Sequence, residues 1–385
     1  MGTRWFTPAD CDLEAFRAVV EQDTRLEDYP HADAVEGNVV VYGERLRAAE
    51  DRRAAQAELV QALADGPGVV VFRGAFDREV VARATAVFTA LLAEQEAAGG
   101  AGGDHFAPPG ANGRVWGALD KLALRDPEVF ADYYANDLLA LVAEAWLGPG
   151  YRVTSQVNVV RPGGTAQHPH RDYHLGFMDR ERALAYPAHL HALSPALTLQ
   201  GAVAHVDMPV ETGPTLYLPH SHKFAAGYVA WHDPAFAAYF DRHRVQLPLA
   251  AGDAAFFNPA VFHGAGTNAS AGVMRMANLL QVSCAFGRPM EAVDTTAACR
   301  AVFPVLAARR AAGAPDRAVR NVVAAVAEGY AFPTNLDRDQ PVDGPTPPTQ
   351  AEVLWRAVAE GWEPDRLHAQ LTAQAGRRRA APVGG

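Results

Sequence analysis

Residues 167–174 read Gln-His-Pro-His-Arg-Asp-Tyr-His, so imidazoles and a carboxylate recur at every second position. In an extended strand alternate side chains share a face, so His168, His170, Asp172 and His174 are predicted to point the same way. Two imidazoles and one carboxylate on one side of a metal, with open positions opposite, form the ligand set of non-haem Fe(II) oxygenases. Spacing alone admits two registers, because Asp172 has His170 two residues before it and His174 two residues after. Pro169 limits how His168 can join a ladder. A third ligand must come from elsewhere, and His263 in Phe-His-Gly-Ala-Gly is the candidate. Further on, Arg275 stands in an apolar Val-Met-Arg-Met-Ala run, where a guanidinium can clamp a carboxylate bidentately.

The flanks of these residues make the pattern specific. Arg161-Pro162-Gly163-Gly164, followed by Gln167-x-x-His170-x-Asp172, resembles the first signature of the phytanoyl-CoA dioxygenase family. Glu-Thr-Gly-Pro-Thr-Leu-Tyr-Leu-Pro-His-Ser-His-Lys, from Glu211 to Lys223, resembles its central segment, and Gly252-Asp253 leading to His263, Asn268 and Arg275 resembles its last. These stretches fall within residues 150–286. By this resemblance the chain is identified as a member of that Fe(II)/2-oxoglutarate oxygenase family.

The resemblance implies Fe(II) on His170, Asp172 and His263. Gln167 matches the family only in the H-x-D register, which selects His170 over His174. It implies 2-oxoglutarate with its distal carboxylate on Arg275, hydrogen bonds from Gln167, Thr215 and Asn158, and O2 as the oxidant. His174 then becomes a pocket residue beside substrate or co-substrate. Related halogenases carry a small residue where this chain has Asp172, so oxygenation is the implied outcome. The implied reaction is hydroxylation of an unactivated C–H bond of a small metabolite, with succinate and CO2 as co-products; desaturation or ring closure can follow the same radical. Two positions depart from the family: His220 stands where glycine is usual, and Ala265 where a hydroxyl is frequent. His205, His220 and His222 are read as core or loop residues. A cupin-like metal isomerase or hydrolase would use the three ligands without 2-oxoglutarate, and Arg275 and Gln167 count against it. A non-catalytic jelly-roll binding module would not need the complete ligand set.

The elements that must position these groups follow from periodicity. Thr7-Pro8-Ala9-Asp10 reads as a helix start, a second helix is predicted through Arg45–Ala64, and Val69–Phe72 is a short buried strand. Asp77 caps a helix with apolar residues at helical spacing, and Pro127–Leu147 is helical. The Gly- and Pro-rich stretch Gly99–Gly113 is read as a flexible loop, with a substrate-facing flap as the alternative. From Tyr151 the texture turns to short β-rich runs: Val153–Val160, His168–His174, Ala196–Val206, Thr215–Leu218, Val245–Leu249, Ala254–Phe257 and Met274–Val282. Short strands punctuated by Gly and Pro predict a sandwich or jelly roll. The expected class is α+β: a double-stranded β-helix with flanking α-helices. The chain is read as one domain, mainly helical over 1–150, jelly roll over 151–286, and helices and tail over 287–385, where Thr349 opens a capping box.

Composition bounds the partners. A net charge of −10 argues against nucleic acid or an anionic membrane as the main partner. Lysine occurs only at Lys121 and Lys223, and the one basic run, Arg377–Arg379, sits in a Gly- and Ala-rich tail. Cys11, Cys284 and Cys299 are too scattered for a disulfide framework. With no signal pattern and no membrane-length apolar run, the cytoplasm is the expected compartment. A small-molecule substrate is expected, and oligomeric state is left open.

Overall fold

A computed structural model describes residues 4–98, 112–341 and 344–380. The loop or flap reading of Gly99–Gly113 therefore lies, up to residue 111, outside the described residues. The strands are β1 (Ala34–Glu36), β2 (Val39–Tyr42), β3 (Val69–Phe72), β4 (Asn112–Val115), β5 (Arg152–Val160) and β6 (Thr198–Ala204). They continue with β7 (Leu216–Leu218), β8 (Val245–Gln246), β9 (Ala254–Phe257), β10 (Phe262–Gly264) and β11 (Arg275–Ser283). Eight form one sheet in the order β1-β2-β3-β9-β6-β11-β5-β4, and three form a second, β10-β7-β8. Among the described strands only β2 and β3 pair in parallel. The molecule is thus a mixed α/β structure built on a large sheet.

Period-2 alternation explains how the large sheet serves two sides. Val153 and Val157 of β5, Leu199 and Val203 of β6, Phe256 of β9 and Leu280 and Val282 of β11 face the helices. They share one buried cluster with Leu59, Phe88, Phe130, Leu139, Val302, Leu306, Val322, Leu354 and Leu367. The other face meets the small sheet: Val39, Val41, Val69, Val71 and Phe257 pack with Tyr217, Leu247, Leu249 and Val261. Behind the small sheet, Phe16 of the helix Leu13–Val20 and Phe236 and Phe240 of Pro234–His243 cover Leu216, Leu218 and Phe262. Among the described residues no helix is long and apolar enough to cross a membrane.

The elements expected at Val153–Val160, Ala196–Val206, Thr215–Leu218, Ala254–Phe257 and Met274–Val282 form as strands with ends shifted by a residue or two. Asp77 and Thr349 cap their helices as read. The helix read over Pro127–Leu147 is two, Pro127–Tyr134 and Asp137–Leu147, the second capped by Asn136, and Val245–Leu249 keeps only Val245–Gln246 as strand. Four further departures have physical causes. The helix predicted over Arg45–Ala64 is broken into Glu44–Arg47 and Arg52–Ala64, because Asp51 caps the second piece by accepting from Arg53 and Ala54 N–H. Thr7 and Asp10 make their reciprocal bonds around a single 3-10 turn, and Asp12 opens the α-helix. The hairpin β1–β2 was not read from the sequence; its turn, Gly37-Asn38, has φ of 55° and 65°, as a two-residue primed turn requires. The strand expected over His168–His174 is reduced to one bridge at His170.

Phe256 gives a test of this packing. It is 1 % exposed, stacks edge-on to Phe72 at 5.8 Å, and fills space that Gly201 leaves open, where an added Cβ would lie 2.5 Å from its ring. Phe256→Ala is expected to destabilise the protein by about 3–5 kcal/mol, read as a lower denaturation midpoint at unchanged slope.

Candidate metal centre

Backbone pairing brings the distant histidine to the H-x-D segment. His170 and His263 form an antiparallel bridge, with N–H···O distances of 2.9 and 3.1 Å in the two directions. Strand β10 pairs in turn with β7, setting His263 opposite Tyr217. Directly opposed residues project to the same face, and the two imidazole centroids lie 4.5 Å apart. Asp172 returns to that face. His170 Nε2 is 3.7 Å from one Asp172 oxygen and His263 Nε2 is 3.3 Å from the other. The three potential ligand atoms all lie within 4.8 Å of one another.

The protonation state suits a metal. His170 Nδ1 is 2.8 Å from the His168 carbonyl, and His263 Nδ1 is 2.9 Å from the Val261 carbonyl. A carbonyl only accepts, so each Nδ1 carries the proton and each Nε2 keeps its lone pair for a cation. Burial, reinforced by His263, pushes the His170 pKa down. Burial opposes the charge on Asp172, but His170, His263 and a hydrogen bond from Gln200 outweigh it and hold the carboxyl well below the usual range.

Sequence reasoning missed the residues that aim these three side chains. Gln200 on β6 reaches across from the large sheet, and its Nε2 donates to Asp172 Oδ2 at 2.5 Å. The Tyr228 hydroxyl donates to the Asp172 backbone carbonyl at 3.0 Å. Arg171 points the opposite way from its neighbours, as period 2 demands, and is 2 % exposed. Its Nη2 donates to the Ser221 and Phe224 carbonyls at 2.6 and 3.0 Å, and its guanidinium lies 5.1 and 5.2 Å from the Tyr228 and Phe262 rings. Only glycine fits at 227, since a Cβ there would collide with that guanidinium. The one sequence signal for Gln200 is a polar residue in an apolar strand. Outer partners of this kind tune affinity by about 10–100-fold, so Gln200→Leu is expected to weaken Fe(II) binding by that factor in a chelator competition.

One cavity between the sheets is lined by His170, Asp172, His263, Arg275, Gln167, Thr215 and Asn158. His174 is not on it. Alternation stops at Tyr173, whose φ of 42° turns the chain into the 3-10 turn Leu175–Phe177, and the His174 N–H donates to Ser194 Oγ at 2.8 Å. His168 is likewise off the cavity, with its ring 6.3 Å from that of Trp231.

Arg275, the first residue of β11, is 6 % exposed, and the one hydrogen bond of its guanidinium among the described residues is a long one of 3.4 Å to the Gly266 carbonyl. No described carboxylate pairs with it. Burial lowers its pKa to about 10, so it stays charged at neutral pH. A buried cation without a counter-ion is costly, and an anionic ligand would relieve it. At the departure Ala265, the backbone N–H donates to Gln167 Oε1 at 2.9 Å, which orients the amide and leaves its nitrogen free to donate to a ligand. His220 adopts φ of 68° and is held between Thr24 Oγ1 at 3.1 Å and Lys223 Nζ at 2.9 Å. His205 is satisfied by Thr85 at 2.8 Å and Tyr133 at 3.1 Å, and burial drives its pKa to about 3.

No curated protein matches the chain. Solved structures to which the chain is similar include SnoN, the non-haem alpha-ketoglutarate-dependent epimerase from nogalamycin biosynthesis. It is 21 % identical, covers 60 % of this chain and 84 % of its own, and has a TM-score of 0.39. The carbocyclase SnoK from the same biosynthesis is 22 % identical over 62 % of this chain and 86 % of its own, with a TM-score of 0.42. SnoN in complex with Fe3+, alpha-ketoglutarate and nogalamycin RO is 20 % identical over 60 % and 85 %, with a TM-score of 0.39. The family model of phytanoyl-CoA dioxygenase matches residues 64–277, a span that holds the H-x-D segment, the distal histidine and the arginine of β11. The chain belongs to the phytanoyl-CoA dioxygenase family, enzymes that use Fe(II), 2-oxoglutarate and O2.

Proposed function

We propose that this enzyme hydroxylates an unactivated C–H bond of a small-molecule metabolite, with His170, Asp172 and His263 as the iron ligands. The two sheets are read as a double-stranded β-helix, and the whole chain as one oxygenase domain. The observation that carries the reading is the buried, acid-free guanidinium of Arg275 in the same cavity as the His-Asp-His cluster. A metal-dependent isomerase or hydrolase acting on a neutral substrate would have no use for it.

When bound, iron and 2-oxoglutarate supply O2 activation coupled to decarboxylation of the keto acid to succinate and CO2. The chain's own residues do the rest. Nδ1 protons held on the His168 and Val261 carbonyls keep both Nε2 atoms as donors to the metal. Gln200 stops Asp172 from rotating. Arg275 holds the distal carboxylate of 2-oxoglutarate, with Gln167, Thr215 and Asn158 beside it. The flanking strands exclude bulk water, which strengthens each of these contacts. Anaerobic addition of 2-oxoglutarate to the Fe(II)-loaded protein is expected to produce a weak visible charge-transfer band, and admission of O2 slow succinate release. A protein that binds Fe(II) and releases no succinate under any condition would return the reading to a metal-dependent isomerase or hydrolase.

A further inference from the structure

The inner face of β11 runs from Arg275 to Gln281, about 20 Å further along at the rise of a strand. Gln281 is the cross-strand neighbour of Gln200, whose Nε2 is bonded to Asp172. At this end of the cavity buried polar atoms stand without partners. Among the described residues Gln200 Oε1, Gln281 Oε1 and the Tyr173 hydroxyl are unpaired, as is the amide nitrogen of Gln156, and all four side chains line the cavity. The four residues are only 7, 7, 3 and 2 % exposed. The amide of Gln200 cannot be turned over, because its oxygen would then face the Asp172 carboxylate. Its Oε1 is therefore an acceptor waiting for a donor beside the metal ligands. Tyr173 is held here by a left-handed backbone that few side chains adopt.

Charge and shape narrow the ligand. Amide oxygens repel anions and accept from O–H or N–H. The guanidinium on this part of the wall, Arg114, donates to Gln156 Oε1 at 3.3 Å and lies 4.8 Å from the Trp116 ring. Trp116, Phe177 and Met290 line the same cavity while 38, 50 and 36 % exposed, which gives it an apolar mouth.

We infer that the substrate is a neutral amphipathic molecule whose polar end, bearing at least two hydroxyl or N–H donors, sits on Gln200, Gln281 and Tyr173, and whose apolar body rests against Trp116, Phe177 and Met290. This rests on the iron- and 2-oxoglutarate-dependent reading above. Buried acceptors left unmade by a ligand without donors are the source of the selectivity.

The test uses three sets of probes of equal size: phenyl glycosides, phenyl-substituted carboxylates and phosphate esters, and phenyl ethers without hydroxyls. Each is titrated by equilibrium dialysis against the full chain holding Fe(II) and 2-oxoglutarate without O2. The glycosides are expected to bind at least about tenfold tighter than either other set. Tyr173→Phe and Gln281→Leu should each cut glycoside binding by about that factor while the phenyl ethers bind as before. Equal or tighter binding of ethers or anions, or no preference within the panel, overturns the inference. So does loss of iron along with the glycosides in either variant, which would assign those side chains to the scaffold of the metal site. The charge-transfer band in the same samples separates the failures. Its absence removes the cofactor reading and this inference with it, whereas a band with the wrong ranking removes the substrate class alone.

Discussion

Loss of iron from an otherwise folded protein is the expected result of replacing His263 by alanine. The pairing that presents this residue is made by backbone atoms, His263 N–H to the His170 carbonyl and His170 N–H to the His263 carbonyl. It survives removal of the ring. What goes is one of three convergent donors, and the two that remain sit two residues apart on one extended segment. Since outer partners alone are worth about 10–100-fold, a lost ligand is expected to weaken Fe(II) by more than about 100-fold. His170→Ala should do the same, and both should abolish the anaerobic charge-transfer band with 2-oxoglutarate. His174→Ala is the contrasting variant: its side chain is off the cavity, so iron content is expected to stay at the wild-type level. Metal analysis of the three purified variants decides the matter. Iron retained without His263, or lost without His174, would move the centre to the other side of Asp172.

That contrast shows where the sequence was readable and where it was not. His170 and Asp172 were legible because period 2 holds for the three residues it needs to, with Arg171 buried on the opposite face between them. His263 and Arg275 were legible only through their flanks, since nothing in spacing says that β10 will lie against residue 170 while β11 forms the wall. His168 and His174 were misplaced because a pattern cannot show where a strand ends. Tyr173 bends the chain at a φ that the sequence, lacking glycine there, gives no reason to expect. Gln200 was invisible for a different reason. Its role depends on β6 standing across the cavity from Asp172, a relation between elements far apart in the chain. The large sheet also borrows strands from before residue 150, including β1 and β2, whose Gly37-Asn38 turn did carry a hairpin signal.

Arg275 gives the second large effect, and its argument turns on sign. An ordinary structural arginine stabilises the protein that holds it, so its removal lowers the unfolding temperature whether or not ligand is present. Arg275 is buried and, among the described residues, its guanidinium donates only one long hydrogen bond, to the Gly266 carbonyl, and pairs with no acid. Desolvation of that charge, offset only in part by Tyr217, is a cost in the ligand-free protein and lowers its pKa to about 10. Arg275→Met, which keeps the volume and removes the charge, is therefore expected to leave ligand-free stability unchanged or raise it. With 2-oxoglutarate the sign reverses. Truncating one partner of a buried, hydrogen-bonded charge pair costs about 2–4 kcal/mol, or roughly 30- to 1000-fold in Kd. Wild-type protein at a hundred times its Kd gains about 2.7 kcal/mol from the ligand, and the variant at the same concentration should gain little of it. Arg275→Lys should fall between, because an ammonium keeps the charge but not the planar fork. Thermal unfolding of the three proteins, with and without 2-oxoglutarate and with iron constant, reads all of this at once. A ligand-free unfolding temperature that drops in Arg275→Met while the 2-oxoglutarate increment stays intact would assign the guanidinium to structure and leave the co-substrate without its anchor.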